Sequence, residues 1–415
     1  MGRRAAVVAA VALVASMLVV AGAPAPVSGA ATAFPPGFAD RLVSAVPEPT
    51  ALAFTPDGRL LVTTQPGRIR VIRNGTLVSQ PALDITAKTC DQSERGLLGI
   101  AVDPAFASNH WIYVFYTYGA GDACPFNDPR HPVNRVSRFT LGNDDVVDPA
   151  SERVLIDGMP SYGGNHNAGD VKVGRDGNLY VTIGDGGCDY AGDSGCQDAN
   201  NAARDRHTLV GKVLRITRRG GIPASNPFTG PGTARCNVTG RTTPGTVCQE
   251  IFATGLRNPF RMGFDTDSRS TRFFVNDVGG SAWEEIDEAQ PGADYGWNIR
   301  EGHCVTGSFT NCGPPPAGLT NPVWDYSHAT GCHSITGGAF VPAGAWPSQY
   351  DGDYLFADFG CNRLFALDLS GGGATELGVL ADGPTTLLFG PGTGRSMYYT
   401  TYANGGEVRR LVYTG

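Results

Sequence analysis

Four short stretches of this 415-residue chain carry residue types that do chemistry. Residues 162–187 read YGGNHNAGDVKVGRDGNLYVTIGDGG, and their Gly-rich first half holds a single histidine, His166. Imidazole changes charge near neutral pH, so a loop histidine delivered by a rigid sheet suits acid–base work. The plainer alternative is a histidine that only hydrogen-bonds its own loop. The other stretches are residues 94–99 (ERGLLG, with Glu94), residues 255–259 (GLRNP, with Arg257 and Asn258) and residues 276–280 (NDVGG, with Gly279 and Gly280). The last is followed by WEEID from Trp283 and DYGWN from Asp294.

The elements that must position these residues come from a degenerate repeat. An apolar strand, a turn of Pro, Asp, Gly or Asn, and a strand rich in Leu, Tyr, Val and Thr recur along the chain. The unit reads LAFTPDGRLLVTT from Leu52, GIAVDPAFASNHWIYVFYT from Gly99 and VKVGRDGNLYVTIGD from Val171. It returns as MGFDTDSRSTRFFVND from Met262, GGAFVPAGAWPSQYDGDYLFAD from Gly337 and LLFGPGTGRSMYYTTY from Leu387. Several units are followed by a further short strand, and no helix-length amphipathic segment separates them. Small sheets that cannot bury both faces alone must pack in a ring, which predicts an all-β chain folded as a six-bladed β-propeller. ERGLLG, NHNAG and GLRNP each stand just before the first strand of a unit. Equivalent loops emerge on one face, so Glu94, His166, Arg257 and Asn258 are expected in one pocket.

Charged residues make up only 17% of the chain, while Gly (57) and Pro (29) are abundant, which suits short strands and tight turns. A net charge of −7 without a basic stripe argues against a nucleic-acid partner. MGRR followed by a small, apolar run from Ala5 to Ala23 has the pattern of an export signal over residues 1–30. Residues 31–415 then form one propeller domain, secreted or extracytoplasmic. The same apolar run is long enough to stay in a bilayer as an uncleaved anchor, the one membrane contact expected. All ten cysteines follow the signal, and no CxxC spacing occurs, which favours disulfides over zinc. Nearest-neighbour pairing would join Cys90 to Cys124, Cys188 to Cys196, Cys236 to Cys248, Cys304 to Cys312 and Cys332 to Cys361. Insertions at 188–203, 220–249 and 302–321 read as loops pinned by these bonds.

In this order the motifs resemble the soluble quinoprotein glucose dehydrogenases and the wider glucose/sorbosone (aldose sugar) dehydrogenase group, from about Phe38 to the C-terminus. RNP followed by DVG, EEI and YGW at matching spacings is the specific part of the likeness. The resemblance implies a six-bladed propeller holding pyrroloquinoline quinone (PQQ) over its axis with calcium. It implies that His166 is the general base for a sugar hydroxyl and that Arg257 and Asn258 contact the quinone. Gly279 and Gly280 then donate carbonyls to calcium, and Glu94 falls at a cofactor-side position that often carries an amide. Such chemistry is coherent: removing hydride from a C–OH needs a base for the proton and a polarised electrophile for the hydride. Calcium prefers hard oxygen ligands, which a Gly-Gly turn offers without side-chain obstruction.

The sequence also departs from the group. Its glucose-oxidising members clamp the cofactor carboxylates with a Lys in the fifth blade and an Arg pair in the sixth. Residues 358–363 (DFGCNR) and 382–387 (DGPTTL) stand there instead, with Arg363 the only nearby cation. Other readings stay open for single residues. Arg257 could fasten blades, Gly279 and Gly280 could form only a tight turn, and Glu284 and Glu285 read as structural. Asp185, Asp189 and Asp193 form either a solvated loop or a second calcium site, and the Tyr and Trp of DYGWN read as packing. Three functions are consistent with the sequence. The first is an exported PQQ- and calcium-dependent aldose dehydrogenase with an unidentified electron acceptor. The second is a non-catalytic binding propeller of the kind seen in hedgehog-interacting proteins, and the third a propeller lactonase-type hydrolase.

Overall fold

The computed structural model describes residues 33–119, 124–128, 130–190, 194–391 and 396–415. The expected export signal lies outside the described residues. Six antiparallel sheets form the blades of a propeller. Blade 1 comprises Pro49–Phe54, Leu60–Thr64 and Arg68–Arg73, its outer edge completed by Thr76–Leu77 and Leu83–Asp84, which both pair with the third strand. Blade 2 is Leu97–Val102, Trp111–Tyr118, Val133–Thr140 and Arg153–Pro160, and blade 3 is Val171–Val173, Asn178–Ile183, Lys212–Thr217 and Ile251–Thr254. Blade 4 is Pro259–Phe264, Phe273–Asp277, Trp283–Glu288 and Trp324–Ser327. Blade 5 is Ile335–Phe340, Tyr354–Asp358, Arg363–Asp368 and Gly373–Val379. Blade 6 takes Pro384–Phe389, Ser396–Thr401 and Glu407–Tyr413 from the C-terminus, and Phe38–Ala45 from the N-terminal side pairs with its last strand.

All six predicted units coincide with the first two strands of a blade. Their turns follow local chemistry. In blade 3, Asp176 accepts the Asn178 N–H (3.1 Å) and Gly177 takes the left-handed conformation (φ +74°) that closes the hairpin. Six apolar clusters, one at each blade junction, hold the ring. Ala51, Leu61 and Val71 of blade 1 pack on Ile100, Ile112 and Val114 of blade 2. Leu52, Leu60 and Val62 pack on Val408 of blade 6 and so close the circle. Near the axis the inner strands approach so closely that a Cβ on Gly99 would collide with the Gly169 carbonyl. Among the described residues the longest helix is the four-residue Phe106–Asn109, and no helix is long and apolar enough to cross a membrane.

All ten cysteines are paired, as 90–124, 188–196, 236–248, 304–312 and 332–361. This is the nearest-neighbour scheme. Three of the bonds pin the long insertions, and Cys332 to Cys361 ties the approach of blade 5's first strand to the end of its second.

Candidate active site

In an antiparallel pair the start of the first strand and the end of the second lie at the same edge. Both kinds of loop therefore meet at one mouth of the ring. There they enclose a cavity of about 440 Å³ lined by every blade, including Gln65, Glu94, His166, Arg257, Asn258, Gly279, Gly280, His333 and Tyr402. The four predicted pocket residues and the Gly279 and Gly280 turn thus come together. A second cavity of about 460 Å³ adjoins it, sharing His166, Arg257 and Gly280, with Tyr162, Asn165, Gln197 and Trp297 in its wall.

His166 sits in a left-handed backbone conformation (φ +51°), its N–H donating to Glu94 Oε2 at 2.7 Å. Its Nδ1 lies 2.6 Å from Asp185 Oδ1. Asp185 is fully buried and also accepts the Gly187 N–H (2.7 Å) and Trp297 Nε1–H (2.7 Å). Burial alone would raise its pKa, but the His166 ring, the Gly187 N–H and the Arg257 charge outweigh it and hold the carboxyl below its usual range. An ionised Asp185 accepts from Nδ1–H, which leaves Nε2 as the basic nitrogen of the ring. A carboxylate that fixes the tautomer in this way suits the ring to proton transfer at Nε2.

Arg257 and Asn258 are held by blade 4, whose first strand they precede. Their N–H groups donate to Asp277 at 2.8 and 2.6 Å, and Arg257 Nη1 donates to the Val278 carbonyl (3.0 Å). The Asn258 amide accepts the Ala168 N–H (3.1 Å) and reaches Glu94 Oε2 at 3.4 Å, tying the GLRNP loop to the His166 loop. Burial pushes Asp277 up to about 7, against those two backbone donors. Asp277, Glu285 and Asp287 form a buried group in which one carboxylate oxygen of each lies within 4.8 Å of the others. Burial and mutual repulsion raise the last two as well. Together they are a hard-oxygen set that needs protons or a cation to coexist.

The Gly279 and Gly280 turn is set by Glu301, which no sequence motif marks. Glu301 Oε1 accepts the consecutive N–H groups of Gly280, Ser281, Ala282 and Trp283 at 2.7–3.0 Å. Burial opposes the charge, yet these donors keep Glu301 below its usual range. A Cβ on Gly279 would collide with the Trp283 carbonyl, so this position requires glycine. Among the described residues the Gly279 and Gly280 carbonyls accept no hydrogen bond. Both residues line the cavity, and backbone carbonyls without a hydrogen bond are the hard-oxygen donors that calcium takes.

Several expectations change. Asp185 partners His166 rather than sitting in a solvated or calcium-binding loop; Asp189 accepts from Ser194, and Asp193 lies outside the described residues. Trp297 of DYGWN contributes a hydrogen bond to the site, whereas Tyr295 packs as expected with Phe252 and Phe273. Arg363 pairs with Glu376 at 3.3 Å and does not line the cavity. Glu284 and Glu285 hold backbone as expected, accepting from the Ile335 (2.9 Å) and Gly302 (2.8 Å) N–H groups. Arg95, next to Glu94, is fully buried and donates to the Ser161 and Tyr162 carbonyls, bracing the His166 loop.

A sequence model of the glucose/sorbosone dehydrogenase family matches residues 46–382. The chain belongs to the glucose/sorbosone dehydrogenase family. This family member is 30% identical over 379 residues to the HIPL2 protein of Arabidopsis thaliana, covering 75% of this chain and 51% of that protein. It is 27% identical over 253 residues to aldose sugar dehydrogenase YliI of Escherichia coli strain K12, covering 60% of this chain and 59% of the relative. The chain spans about half the length of the curated relatives it matches. Its fold is similar to that of the PQQ-bound form of aldose sugar dehydrogenase from Streptomyces coelicolor, with TM-score 0.67 and 22% identity over 92% of this chain and 99% of that one.

Proposed function

We propose that this propeller is an exported aldose dehydrogenase that uses PQQ and calcium to oxidise a sugar at its anomeric hydroxyl. One observation carries the reading: His166, backed by buried Asp185, lines the same cavity as Arg257, Asn258, Gly279 and Gly280. His166 Nε2 takes the hydroxyl proton, and buried Asp185 stabilises the imidazolium that results. Glu94 fixes the histidine loop through its 2.7 Å bond to the His166 N–H. Arg257 and Asn258 would hold the quinone, and the Gly279 and Gly280 carbonyls the calcium. When bound, the quinone supplies the hydride acceptor and calcium its polarisation. The second cavity offers the Asn165 and Gln197 amides and the Tyr162 and Trp297 rings, groups that suit sugar hydroxyls and faces.

The test is reconstitution of purified protein with PQQ and calcium, following quinone absorbance and dye reduction across a panel of aldoses. Saturable binding with aldose-dependent reduction is expected. No binding at high micromolar quinone ends the reading. Binding without turnover would instead favour a binding propeller, a reading supported by the lack of any lysine among the cavity-lining residues.

A further inference from the structure

Arg261 occupies an unusual place. It lies on the inner strand of blade 4, is 2% exposed and lines the main cavity. Its Nη2 donates to the Thr50 carbonyl of blade 1 at 2.7 Å, and its Nη1 to the Phe260 carbonyl at 2.8 Å. Blades 1 and 4 face each other in a ring of six, so this side chain crosses the axis beneath the mouth. Among the described residues its Nε has no hydrogen-bond partner. Two carbonyls therefore use part of a guanidinium that carries five N–H donors.

The charge is also uncompensated. Burial lowers the pKa of Arg261, and the acid that acts against this is Asp170. Asp170 is itself committed to Lys172 (2.9 Å) and to the Val171 and Met262 N–H groups. A buried cation without an ion pair costs stability, and functional sites are where such costs persist. The cavity above it leans the same way. Glu94 is the only acid in its described lining, and that carboxylate is engaged by His166 and Asn258, while Arg257 and His333 add basic groups. The rings of Phe260 and Phe359 supply flat apolar wall.

We propose that Arg261 is the floor of a carboxylate subsite and that the cavity takes a planar organic acid seated with a carboxylate over the propeller axis. This deepens the quinone reading, PQQ being such an acid, and rests on that reading only for the first probe. The experiment titrates wild-type protein, Arg261→Gln and Arg261→Met with PQQ and with its trimethyl ester at fixed calcium. Thermal shifts with benzene-1,2,4-tricarboxylate run in parallel. Wild type should bind the acid about tenfold or more tightly than the ester, and either variant should close that gap by weakening the acid alone. A folded variant that binds PQQ as tightly as wild type overturns the subsite while leaving the quinone reading standing. If PQQ fails to bind wild type at all, the quinone reading falls and the tricarboxylate decides. Stabilisation of wild type but of neither variant supports the subsite, and no shift overturns it. Should neither variant fold, the acid and ester on wild type decide alone, equal affinities refuting the proposal.

Discussion

Replacing Asp185 by Asn tests the base directly. The substitution keeps the size of the side chain and can still accept from Trp297 or Gly187, but it removes the anion 2.6 Å from His166 Nδ1. If the amide turns its NH2 toward Nδ1, the ring must carry its proton on Nε2, the nitrogen that has to be bare. Losing one charge-assisted hydrogen bond to the imidazolium costs about 1.5–3 kcal/mol, a factor of about 10–150. Loss of the correct tautomer extends this toward the full share of a general base, about 10²–10⁴. After reconstitution, kcat/KM should therefore fall by about 10²–10⁴ while PQQ affinity stays within about threefold. Stability gives an independent reading. The folded-state pKa of Asp185 is depressed, so its contribution is present above the unfolded value of about 3.9 and is lost as pH falls through the folded value. Wild type should accordingly lose more stability than Asp185→Asn between about pH 5 and pH 2. A folded variant with kcat/KM within about threefold of wild type, or with the same acid-unfolding curve, refutes the dyad.

On the proposed function, wild type should melt higher in calcium than in EDTA, and Gly279→Ala, which displaces the turn held by Glu301, should abolish that difference in the same thermal melts. Lys212 is buried, with Nζ donating to the Ala202, Ala203 and Val210 carbonyls at 2.6–2.8 Å. Lys212→Met leaves those acceptors unmet and should cost about 2–5 kcal/mol in urea unfolding; a loss under 1 kcal/mol would contradict it. Replacing Cys332 and Cys361 together by Ala frees a 29-residue separation and should cost about 2–4 kcal/mol by the same assay.

What the sequence disclosed and what it withheld divide along a physical line. Strand and turn chemistry is local, so the six units, the hairpin after Val171 and the nearest-neighbour disulfides were legible. The convergence of Glu94, His166, Arg257 and Asn258 was legible too, because each precedes an inner strand. Asp185 is not marked by the repeat, which points only to the loops before first strands; second-strand ends share that edge, and Asp185 follows one. Glu301 and Arg95 leave little mark in residue type because most of their hydrogen-bond partners are backbone groups. The N-terminal strand of blade 6 was not foreseen, since its burial shows no clean alternation and its partner is Glu407–Tyr413 at the other end of the chain.

Ring closure is what converts these distant residues into a site. Thr385 of blade 6 hydrogen-bonds the Pro49 carbonyl of blade 1, and Thr336 of blade 5 bonds the Pro384 carbonyl. The junction between the two ends of the chain is therefore stitched near the axis as well as along the outer edge. Arg261 reaches from blade 4 to Thr50, beside that same junction. The cavity draws its wall from all six blades, so no blade or adjacent pair could present it alone. Loops that carry chemistry gain precision only when the scaffold beneath them cannot shear. Here the Asn258 amide bonds the backbone of Ala168 while its own N–H is held by Asp277, so the GLRNP loop is fixed from two blades at once. The His166 loop is fixed likewise, by Glu94 from blade 2 and by Asp185 from its own blade. Sealing the circle and aligning His166 with the groups opposite it are thus one structural event.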